Sequence, residues 1–218
     1  MSETLAVVNQ KGGVGKTTTS VNLGSYLADS GKSVLLIDLD PQANASAGVG
    51  ARVKEGQPSL YELLAGSVPI QSVIHATSIE RFHIIPSTPD LAGAAMELMD
   101  EPYREYRLRR ALKAVKEQYD FILIDCPPSL GLLTINGLAA ADRLLIPVQC
   151  EFYALEGLHQ LLTTVDLVRK HLNPRLQVLG AVLTMFDRRT QLSRKVVREV
   201  RKTFPGHVFE SIIPRNTE

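Results

Sequence analysis

The sequence is short of cysteine, of net charge and of long apolar runs, and each shortage closes off a class of protein. Only two cysteines, Cys126 and Cys150, occur in 218 residues. Both sit in apolar surroundings at a spacing that suits no metal site, so they read as buried thiols in a reducing compartment. The net charge is +1, so any affinity for a polyanion has to come from a local patch. No apolar run reaches the ~18 residues that a membrane-spanning helix needs, and the N-terminus lacks a signal-peptide pattern. Nothing in the chain is therefore expected to cross a membrane. Repeats and low-complexity tracts are absent as well. What remains is long enough to bury a sizeable core and reads as one domain over residues 1–218.

What is present is an alternation. Apolar runs that read as buried strands recur at Leu5–Asn9, Val34–Leu39, Phe82–Pro86, Phe121–Asp125, Leu144–Val148, Val178–Thr184 and Val208–Ile213. Helical patterns lie between most of them. This predicts an α/β fold, a mostly parallel central sheet flanked by helices on both faces. Such sheets bind ligands beyond the carboxyl ends of their strands. The polar motifs of this chain fall at those ends.

The sharpest motif is Lys11-Gly12-Gly13-Val14-Gly15-Lys16-Thr17-Thr18, after the apolar run Leu5-Ala6-Val7-Val8 and before a helical pattern from Val21 to Ala28. Strand, glycine-rich turn and helix are the context of a phosphate loop. Glycines let backbone N–H groups turn inward and approach anionic oxygens. The helix adds its positive N-terminal end, and Lys16 adds a full charge. The Thr17 hydroxyl is the expected Mg²⁺ ligand. The strict pattern fails at its first glycine, which is Gln10, and an extra lysine stands at position 11.

Asp38-Leu39-Asp40-Pro41-Gln42 ends the second strand, with its two carboxylates at i and i+2 on one side. One of them could position an attacking water. Phe121-Ile122-Leu123-Ile124-Asp125 is an apolar strand ending in an acid that could hold a water on Mg²⁺. Cys126-Pro127-Pro128-Ser129 then turns the chain. Ala43-Asn44-Ala45-Ser46-Ala47-Gly48 suits a switch loop. Ser59-Leu60-Tyr61-Glu62 carries a capping box for a helix that stops at Ala65-Gly66. Pro89 to Met99 reads as a helix with packing methionines. A further helix carries Arg104, Arg107, Arg109, Arg110, Lys113 and Lys116 outside and Leu108, Ala111, Leu112 and Val115 inside. In Thr184-Met185-Phe186-Asp187, Met185 replaces the lysine of a guanine-reading pattern, which favours adenine.

From Ser193 to Phe204, Val196, Val197, Val200 and Phe204 share one helical face. Arg194, Lys195, Arg198, Arg201 and Lys202 share the opposite one, with Arg188 and Arg189 just before the helix. Such a patch reads either as a solvated face or as a set of phosphate contacts that give salt-dependent affinity without reading sequence.

The motif K-G-G-x-G-K-[ST], with Asp38–Gln42, Asp125–Pro128 and Gln149–Gly157 in the same order and spacing, resembles the ParA/MinD class of P-loop ATPases with a deviant Walker A motif. Within it the chain is similar to the ParA/Soj partition ATPases from Leu5 to Asn216. The resemblance implies ATP and Mg²⁺ bound by Gly12, Gly13, Val14, Gly15, Lys16, Thr17 and Thr18, with Thr17 and, through water, Asp125 at the metal. It implies that Asp40 orients the hydrolytic water, and that Lys11 reaches the phosphates of a partner subunit in an ATP-dependent homodimer. Glu151 would lie near nucleotide and dimer interface, although a helix cap is an equal reading. Pro214 and Asn216 would contribute to the adenine pocket. Arg189, Arg194, Lys195, Arg198, Arg201 and Lys202 would contact non-specific DNA, and a ParB-type centromere-binding protein would stimulate slow hydrolysis. A cytoplasmic, nucleoid-associated location follows, as does a short terminal segment beyond Glu218. Three alternatives remain beside it. They are a MinD-like regulator with an amphipathic membrane helix, a dethiobiotin synthetase-like ligase and a nitrogenase-iron-protein-like electron carrier.

Overall fold

The computed structural model describes residues 2–151 and 154–216. Among the described residues eight strands form one sheet: β1 (Glu3–Val7), β2 (Val34–Asp38), β3 (His75–Ala76), β4 (Phe82–Ile85), β5 (Phe121–Asp125), β6 (Arg143–Gln149), β7 (Gln177–Phe186) and β8 (Val208–Pro214). Their order across the sheet is β3-β4-β2-β5-β1-β6-β7-β8, and only the β3–β4 pair is antiparallel. All seven apolar runs are strands. The short edge strand β3 is additional, since two residues, His75 and Ala76, carry no periodicity to read.

The helices are α1 (Lys16–Asp29), α2 (Asn44–Gly48), α3 (Leu60–Ala65), α4 (Leu91–Glu97), α5 (Arg107–Leu112), α6 (Leu132–Ala140), α7 (Ala154–His171) and α8 (Gln191–Thr203). Alternation along the strands divides the core. Leu5, Val34, Leu36 and Leu123 pack toward α1 and α2. Ala6, Leu35, Ile37, Ile122 and Ile124 join the larger cluster that also holds residues of α3 to α8. β2 is buried along its whole length, as a strand covered on both faces must be.

Local chemistry explains several boundaries. The Ser59 hydroxyl accepts from Tyr61 N at 3.2 Å, and Glu62 accepts from Ser59 N at 2.7 Å. The helix they start stops at Gly66, whose φ of 83° favours glycine. α1 begins at Lys16 rather than Val21 because its inward stripe is Lys16, Ser20, Gly24 and Ala28, polar or small residues that show no apolar period. The helix expected from Pro89 to Met99 is α4 followed by a 3₁₀ turn at Leu98–Asp100. Met96 and Met99 do not pack: they are 75% and 59% exposed. The expected basic helix is also broken, into 3₁₀ turns at Arg104–Tyr106 and Lys116–Gln118 around α5. The break lets Val115 and Tyr119 turn into the core. Among the described residues no helix is long and apolar enough to cross a membrane.

Candidate phosphate-binding site and basic face

β1 and α1 are joined by the glycine-rich turn, and the parallel sheet brings the ends of β2 and β5 beside it. Gly13 and Gly15 take φ of 71° and 90°, which a side chain would resist. A Cβ built on Gly12 or Gly13 would meet nothing within 4 Å, so the loop backbone borders open space. That space is a cleft of about 620 Å³. Gly12, Gly13, Gly15, Lys16, Thr17 and Thr18 form one wall; Asp40, Gln42, Asn44 and Gly48 form the other, with Pro128 and Met185 also lining it. Val14 is not among the lining residues: its side chain is buried, and its carbonyl accepts from Thr184 Oγ1 at 2.8 Å. Thr184 therefore clamps the loop to β7, and Met185 next to it takes a left-handed φ of 52° at the cleft.

Lys16 is buried, and its Nζ donates to the Lys11 carbonyl at 3.1 Å. Burial lowers its pKa, while the charges of Asp125 and Asp40 oppose that shift. Asp125 ends β5, fully inside. Its Oδ1 accepts from Ser20 Oγ at 2.9 Å. Its Oδ2 makes no hydrogen bond to the described residues. Burial pushes the Asp125 carboxyl up to about 7; Asp38 adds to the rise, and Thr17, Ser20 and Lys16 pull against it. A buried carboxylate oxygen without a donor, beside Thr17 and an open glycine cradle, suits a hydrated hard cation held next to phosphate oxygens. Asp40 is half-buried on the opposite wall, and its Oδ1 accepts from Gln42 N at 3.0 Å.

Lys11 is placed differently. It is half-exposed, and its Nζ pairs with Glu151 Oε2 at 2.7 Å, while Gln149 Nε2 donates to Glu151 Oε1 at 2.6 Å. The Glu151 carbonyl accepts from Ala154 N at the start of α7. Phe152 and Tyr153, in the middle of that segment, lie outside the described residues. Pro214 pairs with Phe186 across β7–β8, and Arg215 N donates to the Phe186 carbonyl at 3.0 Å. Pro214 and Asn216 thus reach the same end of the sheet without being among the residues that line the cleft.

The basic helix forms as its pattern demands. Val196, Val197, Val200 and Phe204 are buried, and Arg194, Lys195, Arg198, Arg201 and Lys202 are exposed. Arg194, Lys195 and Arg198 line an open groove of about 630 Å³ with Phe186 and Leu192. Arg201 donates to the Glu210 carbonyl at 3.2 Å. Arg189 is occupied: Nε and Nη2 each donate to Asp187 at 3.0 Å, and the arginine holds that carboxyl at about 2.

Sequence reasoning passes over Ser20, and it names Ser46 and Thr184 without the contacts that matter. Ser20 and Ser46 are buried hydroxyls on Asp125 and Asp38, and Thr184 grips the loop from across the sheet. Only Ser20 had a local signal, since it lies one helical turn after Lys16.

Comparison with known proteins agrees with this geometry. A family model described as an AAA domain matches residues 2–178. The sporulation initiation inhibitor protein Soj of Bacillus subtilis is 55% identical over 216 residues, covering 99% of this chain and 85% of that protein. The chromosome partitioning protein ParA of Myxococcus xanthus is 52% identical over 212 residues, covering 97% and 75%. Among solved structures, a cobyrinic acid a,c-diamide synthase from Mycobacterium smegmatis, with an ATP analogue and magnesium bound, superposes with a TM-score of 0.94. It is 41% identical and covers 100% of this chain and 89% of its own.

Proposed function

The chain belongs to the ParA/Soj family of chromosome-partitioning ATPases, and we propose that it is an ATP-dependent dimerisation switch that holds non-specific DNA in one nucleotide state and releases it in the other. The observation that carries this reading is the two-walled cleft, with the glycine loop, Lys16 and Thr17 on one side and Asp40 on the other.

The residues present fit Mg²⁺ and a nucleoside triphosphate. The N–H groups of the loop and the Lys16 ammonium take the phosphate oxygens. The Thr17 hydroxyl would hold the metal directly and Asp125 would hold it through water. Bound Mg²⁺ would draw charge from the phosphates and ease attack at the terminal one. Asp40 orients the water for that attack, and Lys16 with the loop amides stabilises the charge that develops on the phosphoryl oxygens. Pro214 and Asn216 border the base. Lys11 leaves Glu151 for the phosphates of the partner subunit, a cation in trans that makes the triphosphate favour the dimer. Arg194, Lys195, Arg198, Arg201, Lys202 and Arg189 contact DNA phosphates. Pairing two such faces raises avidity through effective concentration. A ParB-type partner speeds the slow hydrolysis that ends the cycle.

The test is binding to a duplex of arbitrary sequence at low salt, with ATP, with ADP and without nucleotide, using Asp40→Ala to suppress turnover. Binding that needs ATP and falls with salt is expected. Binding in no state would move the protein toward a MinD-like or metabolic ATPase, which sedimentation with anionic liposomes would then separate.

A further inference from the structure

The wall of the cleft that faces the phosphate loop is a weak piece of structure. α2 has five residues, Asn44–Gly48, too few to be stable alone. Its N-cap, Ala43, lies in the left-handed region at φ 53° and makes no side-chain cap. Asn44, Ala47 and Gly48 are exposed. Yet this segment carries Asp40, Gln42, Asn44 and Gly48 to the cleft, so something outside it must fix its place.

Ala45 gives the segment one buried apolar contact, and the group that fixes its direction is a carboxylate. Asp38 ends β2 with no exposed surface. Its Oδ2 accepts from Ser46 N at 2.7 Å and from Ser46 Oγ at 2.6 Å, while its Oδ1 faces Asp40 N at 3.3 Å. The Ser46 oxygen in turn accepts from Ser87 N, beyond β4, at 3.0 Å. One side chain thus closes the loop at both ends, with Asp40 inside the closure, and a neighbouring strand locks the closure from behind. A buried carboxylate is a costly fastener for a five-residue helix, since apolar packing would hold it at lower cost. Hydrogen bonds differ in that they set direction, and direction is what a water-orienting carboxylate requires.

We infer that Asp38, acting through Ser46, is a positioning residue for hydrolysis: it sets where Asp40 stands relative to Lys16 and Thr17, without itself touching the reacting atoms. The inference rests on the proposed role of Asp40 and assigns to Asp38 a task distinct from it.

The experiment compares wild type, Ser46→Ala, Asp38→Asn and Asp40→Ala. It measures single-turnover ATP hydrolysis, ATP affinity, and amide exchange over residues 41–50. Ser46→Ala removes the hydroxyl and keeps Asp38. Asp38→Asn keeps the shape but leaves one acceptor for two sets of donors, so its amide N–H groups must face either Ser46 or Asp40 N–H. Slower turnover is expected, about tenfold for Ser46→Ala and about a hundredfold for Asp38→Asn. ATP affinity should stay within about threefold, because the phosphate-loop wall is untouched, and exchange over 41–50 should quicken. Wild-type turnover in both variants, with Asp40→Ala slow, would overturn the inference and leave the role of Asp40 standing. Wild-type turnover in Asp40→Ala would instead remove the role on which the inference rests. Loss of ATP affinity in step with turnover would overturn it too, as a collapse of the whole site. If Asp38→Asn does not fold, Ser46→Ala alone decides.

Discussion

The phosphate loop and α8 both gather positive charge, and they do it in opposite ways. At the loop, Lys16 is buried between a carbonyl and two nearby carboxylates, on a turn clamped from β7. At α8 the cations stand in solvent on the outside of a helix whose other face is core. Burial makes one charge count heavily and at one point. Exposure lets salt screen the others, so they act by number and by spacing. The comparison teaches that a single change should cripple the first region, whereas the second should weaken by degrees.

The largest break in that contrast is Lys16→Ala. We expect ATP affinity to fall on the order of a thousandfold by equilibrium titration, and ATP-dependent duplex binding to be lost with it. Next is the triple variant Arg194→Ala, Lys195→Ala, Arg198→Ala. It should cut duplex binding at low salt on the order of thirtyfold and lower the salt slope by about three, while ATP affinity stays as it was.

A smaller effect sharpens the buried side. An unfolded aspartate is ionised above about pH 4, whereas folded Asp125 keeps its proton up to about 7. The folded chain therefore binds more protons across that window, and the group's contribution makes stability fall as pH rises through it. Asp125→Asn should flatten this slope and raise the melting temperature of the nucleotide-free protein by a few degrees above pH 7. Thermal melts across pH 5 to 8 check it. The smallest effect is Arg189→Ala. Because Asp187 already engages that guanidinium twice, the change should weaken duplex binding less than about threefold.

The two regions also differ in how far they could be read. The loop, Asp40, Asp125 and the basic stripe were legible because each is local: a turn beside a strand, an acid at a strand end, a helical period. The contacts that fix them were not. Lys11 and Glu151 are 140 positions apart, and Thr184 and Val14 are 170 apart. No short window holds both partners of such a pair. Ser46 looked like one more small residue of a switch loop, since nothing nearby says that its hydroxyl meets a buried carboxylate. Met96 and Met99 erred the other way: hydrophobic residues at helical spacing promised a core that the chain builds from its neighbours.

The Thr184 clamp makes sequence length a fixed dimension of this molecule. The strand that grips Val14 runs on through Met185 and Phe186, and only residues 187–190 separate its end from α8. Within that span the Thr190 side chain caps α8, its Oγ1 accepting from Ser193 N at 3.2 Å, so exchanging it loosens the start of the helix. Insertions and deletions are another matter. Between β7 and α8 they can be absorbed only in those four residues. Inside α8, one added residue between Lys195 and Val196 would swing Arg194 and Lys195 about 100° away from Arg198.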